Sequence, residues 1–156
     1  MLAILNKILR NQLDPTAVMA KLDEIGKDVK NLSPRRLSEK QIADLQESVK
    51  NNCSRSSALI NVTASNGNQE AQRYGMDFVN ALRAAGCRAD LILPIPGLRP
   101  DVIGVNIAVR NLKSIDAFAF DIKYALAAAG VPSRFALMEP EFFQPETFVL
   151  VIGAKE

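Results

Sequence analysis

The sequence of 156 residues contains no histidine and no tryptophan, and it has only two cysteines and two tyrosines. The missing histidine removes the side chain most often used for general acid–base catalysis and for zinc binding. No run of about 18 apolar residues occurs, so the chain itself predicts no membrane-spanning helix. We therefore expect no metal, no cofactor and no span within this chain.

The sequence also lacks a large excess of charge of either sign, since 19 Lys and Arg oppose 17 Asp and Glu and the net charge is +2. The basic residues between positions 35 and 55 are not interleaved with aromatic residues, so nucleic acid is not an expected partner. These residues are Arg35, Arg36, Lys40, Lys50 and Arg55.

The two cysteines carry little information by spacing. Cys53 lies in a polar segment and Cys87 follows a predicted helix end, without a C-x-x-C pattern. Such cysteines are typical of free thiols in a reducing compartment, and a cytoplasmic location follows from this interpretation.

Residues 1–56 are predicted to form a helical arm, beginning with leucines at helical spacing in residues 2–13. The arm then places apolar residues at alternating steps of four and three, which is a short heptad seam. The seam consists of Val18, Leu22, Ile25, Val29 and Leu32. Two interpretations remain open: a helix that packs on its own domain, or an oligomerisation device.

A second helix of the arm is predicted over residues 38–50. Ser38 and Gln41 have the spacing of a capping box, in which each side chain bonds a free backbone N–H at the helix start. The polar segment 51–57 that follows predicts the boundary of a second domain, residues 57–156.

Strand and helix patterns alternate twice in residues 57–156. Asp77 corresponds to Asp121 and Gly86 to Gly130 in two helix segments that align without a gap. Each helix lies between two apolar strand patterns, and each glycine is a predicted left-handed C-cap. We expect an α/β fold with about five strands, mainly parallel, built from two β-α-β repeats after the N-terminal helical arm. Only eight residues, 139–146, separate the last two predicted strands. This connection is too short for a helical crossover, so it favours a last strand antiparallel to its predecessor.

The pattern R-x-L-S-x-x-Q at residues 35–41 resembles the start of a soluble α/β domain found in many uncharacterised bacterial proteins. The likeness continues through segments 67–71, 81–86, 103–109 and 146–154. Members of that family often carry transmembrane and coiled-coil segments upstream. The resemblance implies either a soluble member or a membrane anchor that precedes Met1, and it implies no activity.

No set of residues in the sequence forms a catalytic constellation. Asp77 and Asp121 lie in the middle of predicted helices, where surface or packing carboxylates are common, and Cys87 follows a helix C-terminus, which does not favour a thiolate. Our first hypothesis is therefore a non-catalytic module that forms a homo-oligomer through its arm and acts as a sensor or scaffold through its α/β body.

The second hypothesis is a site for a small anion such as a nucleotide phosphate. Two predicted helix starts would offer free N–H groups, with basic side chains near one of them, if the repeats bring both to one crevice. The residues are Ser65, Asn66, Gly67 and Asn68 in the first repeat and Arg110, Asn111, Lys113 and Ser114 in the second. Asn66 and Ser114 are the predicted N-caps.

Overall fold

A computed structural model describes residues 15–92, 102–138 and 147–155. The chain divides between Pro34 and Arg35 into two compact units. The domain boundary predicted after residue 56 is therefore wrong, because the capped helix packs into the α/β core through Leu45, Val49 and Cys53. The helix predicted over residues 2–13 lies outside the described residues.

Helix α1 (Pro15–Leu32) is the described element of the first unit. Proline suits the first turn of a helix, because the N–H that it lacks would have no partner there. Ser33 and Pro34 follow the helix, and a residue before proline is disfavoured in the helical backbone conformation. The heptad seam of the sequence thus lies on one continuous helix.

The second unit alternates helices and strands. Its elements are α2 (Glu39–Arg55), β1 (Leu59–Ala64), α3 (Gln69–Ala84), β2 (Arg88–Leu91), β3 (Val105–Val109), α4 (Ala117–Ala128), β4 (Ser133–Leu137) and β5 (Thr147–Ile152). The capping box at the start of α2 is confirmed, with Ser38 and Gln41 bonding each other's backbone N–H groups. The polar segment 51–57 is largely the last turns of this helix.

The strands form one five-stranded mixed sheet in the order β2-β1-β5-β3-β4. β1 pairs parallel with β2 and β5, and β3 pairs parallel with β4. β5 runs antiparallel to β3, and so also to β4, which confirms the expected antiparallel return. The last strand nevertheless lies in the centre of the sheet instead of beside its predecessor.

The two β-α-β units have the same local construction. Gly86 and Gly130 have φ angles of 89° and 66°, which confirms both predicted left-handed helix ends. In each unit the next N–H bonds back into the helix, from Cys87 to the Leu82 carbonyl and from Val131 to the Leu126 carbonyl. This hydrogen bond ends each helix and directs each unit into a second strand that is parallel to its first strand.

One face of the sheet carries the main core. Alternate residues of β1, β5 and β3 point to this face, where they meet apolar residues of α2, α3 and α4. The strand residues are Ile60, Val62, Ala64, Val105, Ile107, Val109, Phe148, Leu150 and Ile152. The opposite face has a smaller buried cluster around Ala108, Val149 and Val151. The two-sided apolar strands of the sequence are thus buried on both faces.

Candidate functional site

The predicted oligomerisation seam lies on α1. All described side chains of this helix, from Thr16 to Ile25, are exposed. The exposed fractions of the apolar members Val18, Leu22 and Ile25 are 39%, 58% and 56%. Val29 and Leu32 complete the seam on the same helix, but their side chains lie outside the described set. The seam is therefore open over its described half.

The two predicted anion-binding segments lie at opposite ends of the strands. Ala64 at the end of β1 and Val105 at the start of β3 both align with Ile152 of β5. The chain therefore leaves β1 at one end of the strands and β3 at the other. A shared crevice built from the segments 65–68 and 110–114 is thus wrong, because the second repeat is inverted relative to the first.

The first of these segments, residues 65–68, forms a tight turn into α3. Asn68, instead of the predicted Asn66, is the N-cap and accepts a hydrogen bond from the Ala71 N–H. Gly67 has a φ of 74°, a backbone conformation that favours glycine, and it directly precedes the N-cap residue Asn68. The Ser65 N–H donates to the Ile152 carbonyl, and its buried hydroxyl has no hydrogen-bond partner among the described residues.

The second segment, residues 110–114, borders a cleft of about 400 Å³. The cleft lies between the end of β3, the start of α4, the segment before β1 and the first residues of β5. Its lining is Ser56, Ser57, Ala58, Ala108, Val109, Arg110, Ser114, Asp116, Phe118, Ala119, Thr147 and Phe148. Two of the predicted ligand-binding residues, Arg110 and Ser114, therefore lie at a concave site.

The start of α4 is not arranged for a phosphate. Asp116, instead of the predicted Ser114, is the N-cap and accepts from the Phe118 N–H at 2.7 Å. A carboxylate at the helix N-terminus satisfies this donor internally and repels an anion. Asn111 accepts from the Lys113 N–H and closes a local turn, as asparagine commonly does.

A pair of arginines joins the start of the α/β unit to α3. The Arg35 guanidinium donates to both carboxylate oxygens of Glu70 at 2.8 Å. It also donates to the carbonyls of Gly153 and Ala154 after β5, and it lies 4.9 Å from the Tyr74 ring centre. These bonds lower the pKa of Glu70, chiefly through hydrogen bonding from Arg35, and burial raises the pKa of Tyr74.

Arg36 makes the second half of this connection. Its guanidinium donates to both oxygens of Asp77 at 2.7 and 2.9 Å, and the Leu37 N–H donates to the same carboxylate. We call Arg35, Arg36, Glu70 and Asp77 the arginine clasp. Asp77 is thus a helix-packing carboxylate. The spacing of Glu70 and Asp77 by two helical turns, with two adjacent arginines upstream, is the sequence signal for the clasp.

Cys53 and Cys87 form a disulfide that connects α2 to the segment before β2. The prediction of two free thiols is wrong, because α2 crosses α3 and brings the two Cα atoms to 4.8 Å. Both cysteines are buried in the main core. The inference of a reducing compartment rested on free thiols and loses that support.

Comparison with family models, with curated proteins and with solved structures finds no match to this chain. No described helix combines the length and the apolar character that a membrane crossing requires. Over the same residues, no group of three or more histidine, cysteine or acidic side chains is placed to hold a metal ion. The exposed seam, the cleft and the arginine clasp are therefore the features from which a function is argued.

Proposed function

We propose that this chain is a non-catalytic module that forms a homo-oligomer through α1 and uses its α/β unit as a sensor or scaffold domain. The observation that carries the proposal is the exposure of the apolar seam on α1. An isolated helix of this length is marginal in water, because its internal hydrogen bonds barely offset the cost of nucleation. Burial of the seam against a second copy would supply the missing stability.

The heptad pattern favours a second copy as the occupant of the seam. Each seam residue is apolar, and the same positions on two copies of α1 would interdigitate as knobs into holes. The residues that flank the described seam include Met19, which is 64% exposed and widens the apolar strip. An amphipathic strip of this kind is self-complementary without any further partner.

The arginine clasp supports a scaffold role for the α/β unit. It fixes Arg35 and Arg36, the first residues after Pro34, to α3 and to the carbonyls that follow β5. Bidentate arginine–carboxylate pairs have a defined geometry as well as favourable energy. The α/β unit therefore holds its own first residues firmly, directly after the arm.

Sedimentation of the full chain tests the proposal. The seam variant replaces both Leu22 and Ile25 by Glu. The matched control replaces both Ala17 and Ala20 by Glu, and these two residues lie outside the heptad seam on the same helix. Both variants add the same charge. We expect the control to keep the mass of the wild-type oligomer and the seam variant to form a smaller species. Equal masses for the wild type and the seam variant would refute the arm as an association device.

A small-ligand function is the second candidate, and the cleft beside Arg110 favours it. Its volume of about 400 Å³ lies within the range of small-molecule sites. Because Asp116 stands at the helix start, the lining favours a neutral or zwitterionic molecule with an apolar part over a phosphate. Phe118 and Phe148, whose ring centres are 5.7 Å apart, would contact that apolar part.

Thermal unfolding with defined probes tests this second candidate. We expect neutral amino acids to raise the melting temperature and inorganic phosphate to leave it unchanged. The variant Ser114→Phe, which fills the cleft, should lose the response. If no zwitterionic probe shifts the melting temperature and equilibrium dialysis detects no binding, the cleft is not a ligand site.

The buried disulfide supports a location in an oxidising compartment in place of the cytoplasm, since reducing compartments keep cysteine thiols in the reduced form. Alkylation of the protein as isolated from its own cells, followed by mass spectrometry, measures the number of free thiols. We expect none. Alkylation of both cysteines before reduction would place the protein in a reducing compartment.

A further inference from the structure

Helix α4 presents an apolar stripe to solvent. Its exposed residues are Ala117, Phe120, Tyr124, Ala127 and Ala128, while its other face is buried in the core. Tyr124 is 71% exposed. The partly exposed side chains Asp121 and Lys123 border this stripe on its two sides. An exposed apolar patch with a polar rim is typical of a protein–protein contact site. The outer stripe of α4 therefore has the character of an interface.

The equivalent helix of the first repeat shows that the fold does not require this stripe. At the positions that correspond to Ala117, Tyr124 and Ala127, α3 exposes Arg73, Asn80 and Arg83. The two helices share their buried pattern, their C-terminal glycine and their place over a parallel strand pair. They differ at these three outer positions, which are polar in α3 and apolar in α4, whereas at the positions of Phe120 and Ala128 α3 also exposes apolar residues, Met76 and Ala84.

The outer strands of the sheet differ in the same way. Among the described strands, β2 and β4 are the two edges. β2 exposes Arg88 and Asp90, and Arg83 of α3 pairs with Asp90, which is the charged protection that edge strands usually have. β4 also exposes one charged residue, Arg134, but on the face that α4 covers it exposes Leu137 to 65% and leaves Phe135 partly exposed.

The backbone of β4 is oriented for a further strand. The Met138 N–H donates to the Val109 carbonyl, which directs the backbone groups of alternate residues towards β3. The N–H and C=O groups of Ser133, Phe135 and Leu137 therefore face the outer edge. The Ser133 carbonyl accepts from Lys123 Nζ and retains a second lone pair.

The centres of α4 and β4 lie over each other. The rings of Phe120 and Phe135 contact at a centroid distance of 5.2 Å, and Lys123 Nζ lies 5.0 Å from the same Phe135 ring. Phe135 is the middle residue of β4, and it lies under the middle of α4. A twofold axis perpendicular to the sheet at Phe135 would thus pass between two copies of both elements.

We propose that α4 and β4 form a second association surface, on which another copy of this chain docks with its β4 antiparallel to the first. Around an axis at Phe135, Ser133 pairs with Leu137 of the other copy, and Arg134 pairs with Ala136. The two α4 helices then bring Phe120 against Tyr124 and Ala117 against Ala127. The result is a continuous ten-stranded sheet with an apolar helix pair on one face.

Charge is compatible with a second copy on this surface. Arg134 points to the opposite face of the sheet, where it donates to Asn106 Oδ1 and to the Ile103 carbonyl. The twofold pairing places it against an alanine, so no like charges meet across the strands. This surface does not depend on α1, and each of the two associations can fail without the other.

The test uses the full chain with the seam variant Leu22→Glu and Ile25→Glu as background, so that only the α4–β4 surface can associate. We expect this protein to sediment as a dimer. Adding Tyr124→Arg should raise the dimer dissociation constant by at least about a hundredfold, because each dimer carries the change twice. Adding Asn80→Arg at the equivalent position of α3 should leave the dissociation constant unchanged.

Hydrogen exchange gives an independent measurement on the same proteins. The Phe135 and Leu137 amides should be protected in the dimer and exchange rapidly after Tyr124→Arg, while circular dichroism remains unchanged. A background protein that stays monomeric at every concentration would overturn the proposal and leave the surface to a different protein. Equal weakening by Tyr124→Arg and Asn80→Arg would also overturn it.

Discussion

Arg35 connects segments of the chain that are far apart in sequence. Its guanidinium donates to the Glu70 carboxylate and to two carbonyls that follow β5, and it lies over the Tyr74 ring. A single side chain thus joins the start of the α/β unit, the first turn of α3 and the end of the central strand. The connection to α3 depends on the ionised form of the Glu70 carboxyl, whose pKa the Arg35 guanidinium lowers.

The lowered pKa of Glu70 predicts a specific acid sensitivity. The folded protein holds this carboxylate ionised to a lower pH than the unfolded chain does, so the unfolded chain binds more protons on acidification. The stabilisation is present above the ordinary pKa of glutamate and is lost as the pH falls through the lowered one. We expect Glu70→Gln to be less stable at neutral pH and to lose less stability than the wild type below about pH 4.

Urea unfolding at several pH values measures this difference. Glu47, an exposed glutamate of α2, provides a control, and Glu47→Gln should follow the wild-type pH profile. Parallel profiles for the wild type and Glu70→Gln would contradict the assigned role of the clasp.

Gly153 is required by a close backbone contact. A Cβ atom there would lie 2.1 Å from the Val102 carbonyl oxygen, and the Gly153 N–H bonds the Gly104 carbonyl nearby. Because backbone cannot turn aside as a side chain can, Gly153→Ala should cost about 3 kcal/mol of unfolding free energy. Gly75→Ala, whose Cβ would meet side-chain atoms at 3.3 Å or more, should be close to neutral. Chemical denaturation compares the two, and an equal cost would count against this explanation.

Sequence patterns located the helix ends well and the N-caps less well. The Ser38 box and both glycine C-caps were predicted correctly because each is a local motif with one solution. The N-caps of α3 and α4 lie two residues later than predicted, at Asn68 and Asp116. Several residues that can cap a helix precede each of these helices, and the path of the turn decides which one does.

At the scale of elements, α2 shows why the cysteine pairing was not predictable. Cys53 and Cys87 are separated by 34 residues and have no shared motif. They meet because α2 packs across α3 on the face of the sheet, and nothing in the sequence states this crossing. The same packing places Leu45 and Val49 in the core, so the polar segment 51–57, which is largely the end of α2, did not mark a domain boundary.

The disulfide should contribute strongly to stability. Cross-linking residues at this separation lowers the entropy of the unfolded chain and stabilises the fold by about 4 kcal/mol. We therefore expect a double variant, Cys53→Ala with Cys87→Ala, to lose about that much unfolding free energy in urea. The single variant Ser54→Ala, at an exposed neighbour, controls for changes in α2. A loss below about 1 kcal/mol would show that the cross-link does not constrain the unfolded chain.

The number of strands in the sheet and their directions could be predicted from the sequence, but the order of the strands could not. Two β-α-β units, five strands and an antiparallel last strand followed from strand patterns and from the short connection before β5. The insertion of β5 between β1 and β3 inverts one unit relative to the other. The predicted shared ligand crevice assumed two units in the same orientation, and long-range strand order has no local signature from which this could be corrected.

The proposed self-association through α1 rests on an apolar seam whose described side chains are exposed. Ile25 lies at the middle of the seam, so it meets its counterpart in both parallel and antiparallel helix pairs. Both native cysteines are already paired, which makes a cysteine introduced at this position the only free thiol.

Oxidative cross-linking of Ile25→Cys is thus the most direct measurement of the proposed association. The account predicts rapid formation of a covalent dimer through residue 25, with Ala20→Cys on the same helix remaining largely monomeric. Equal cross-linking at both positions, or none at residue 25 at concentrations where the chain is folded, would contradict it.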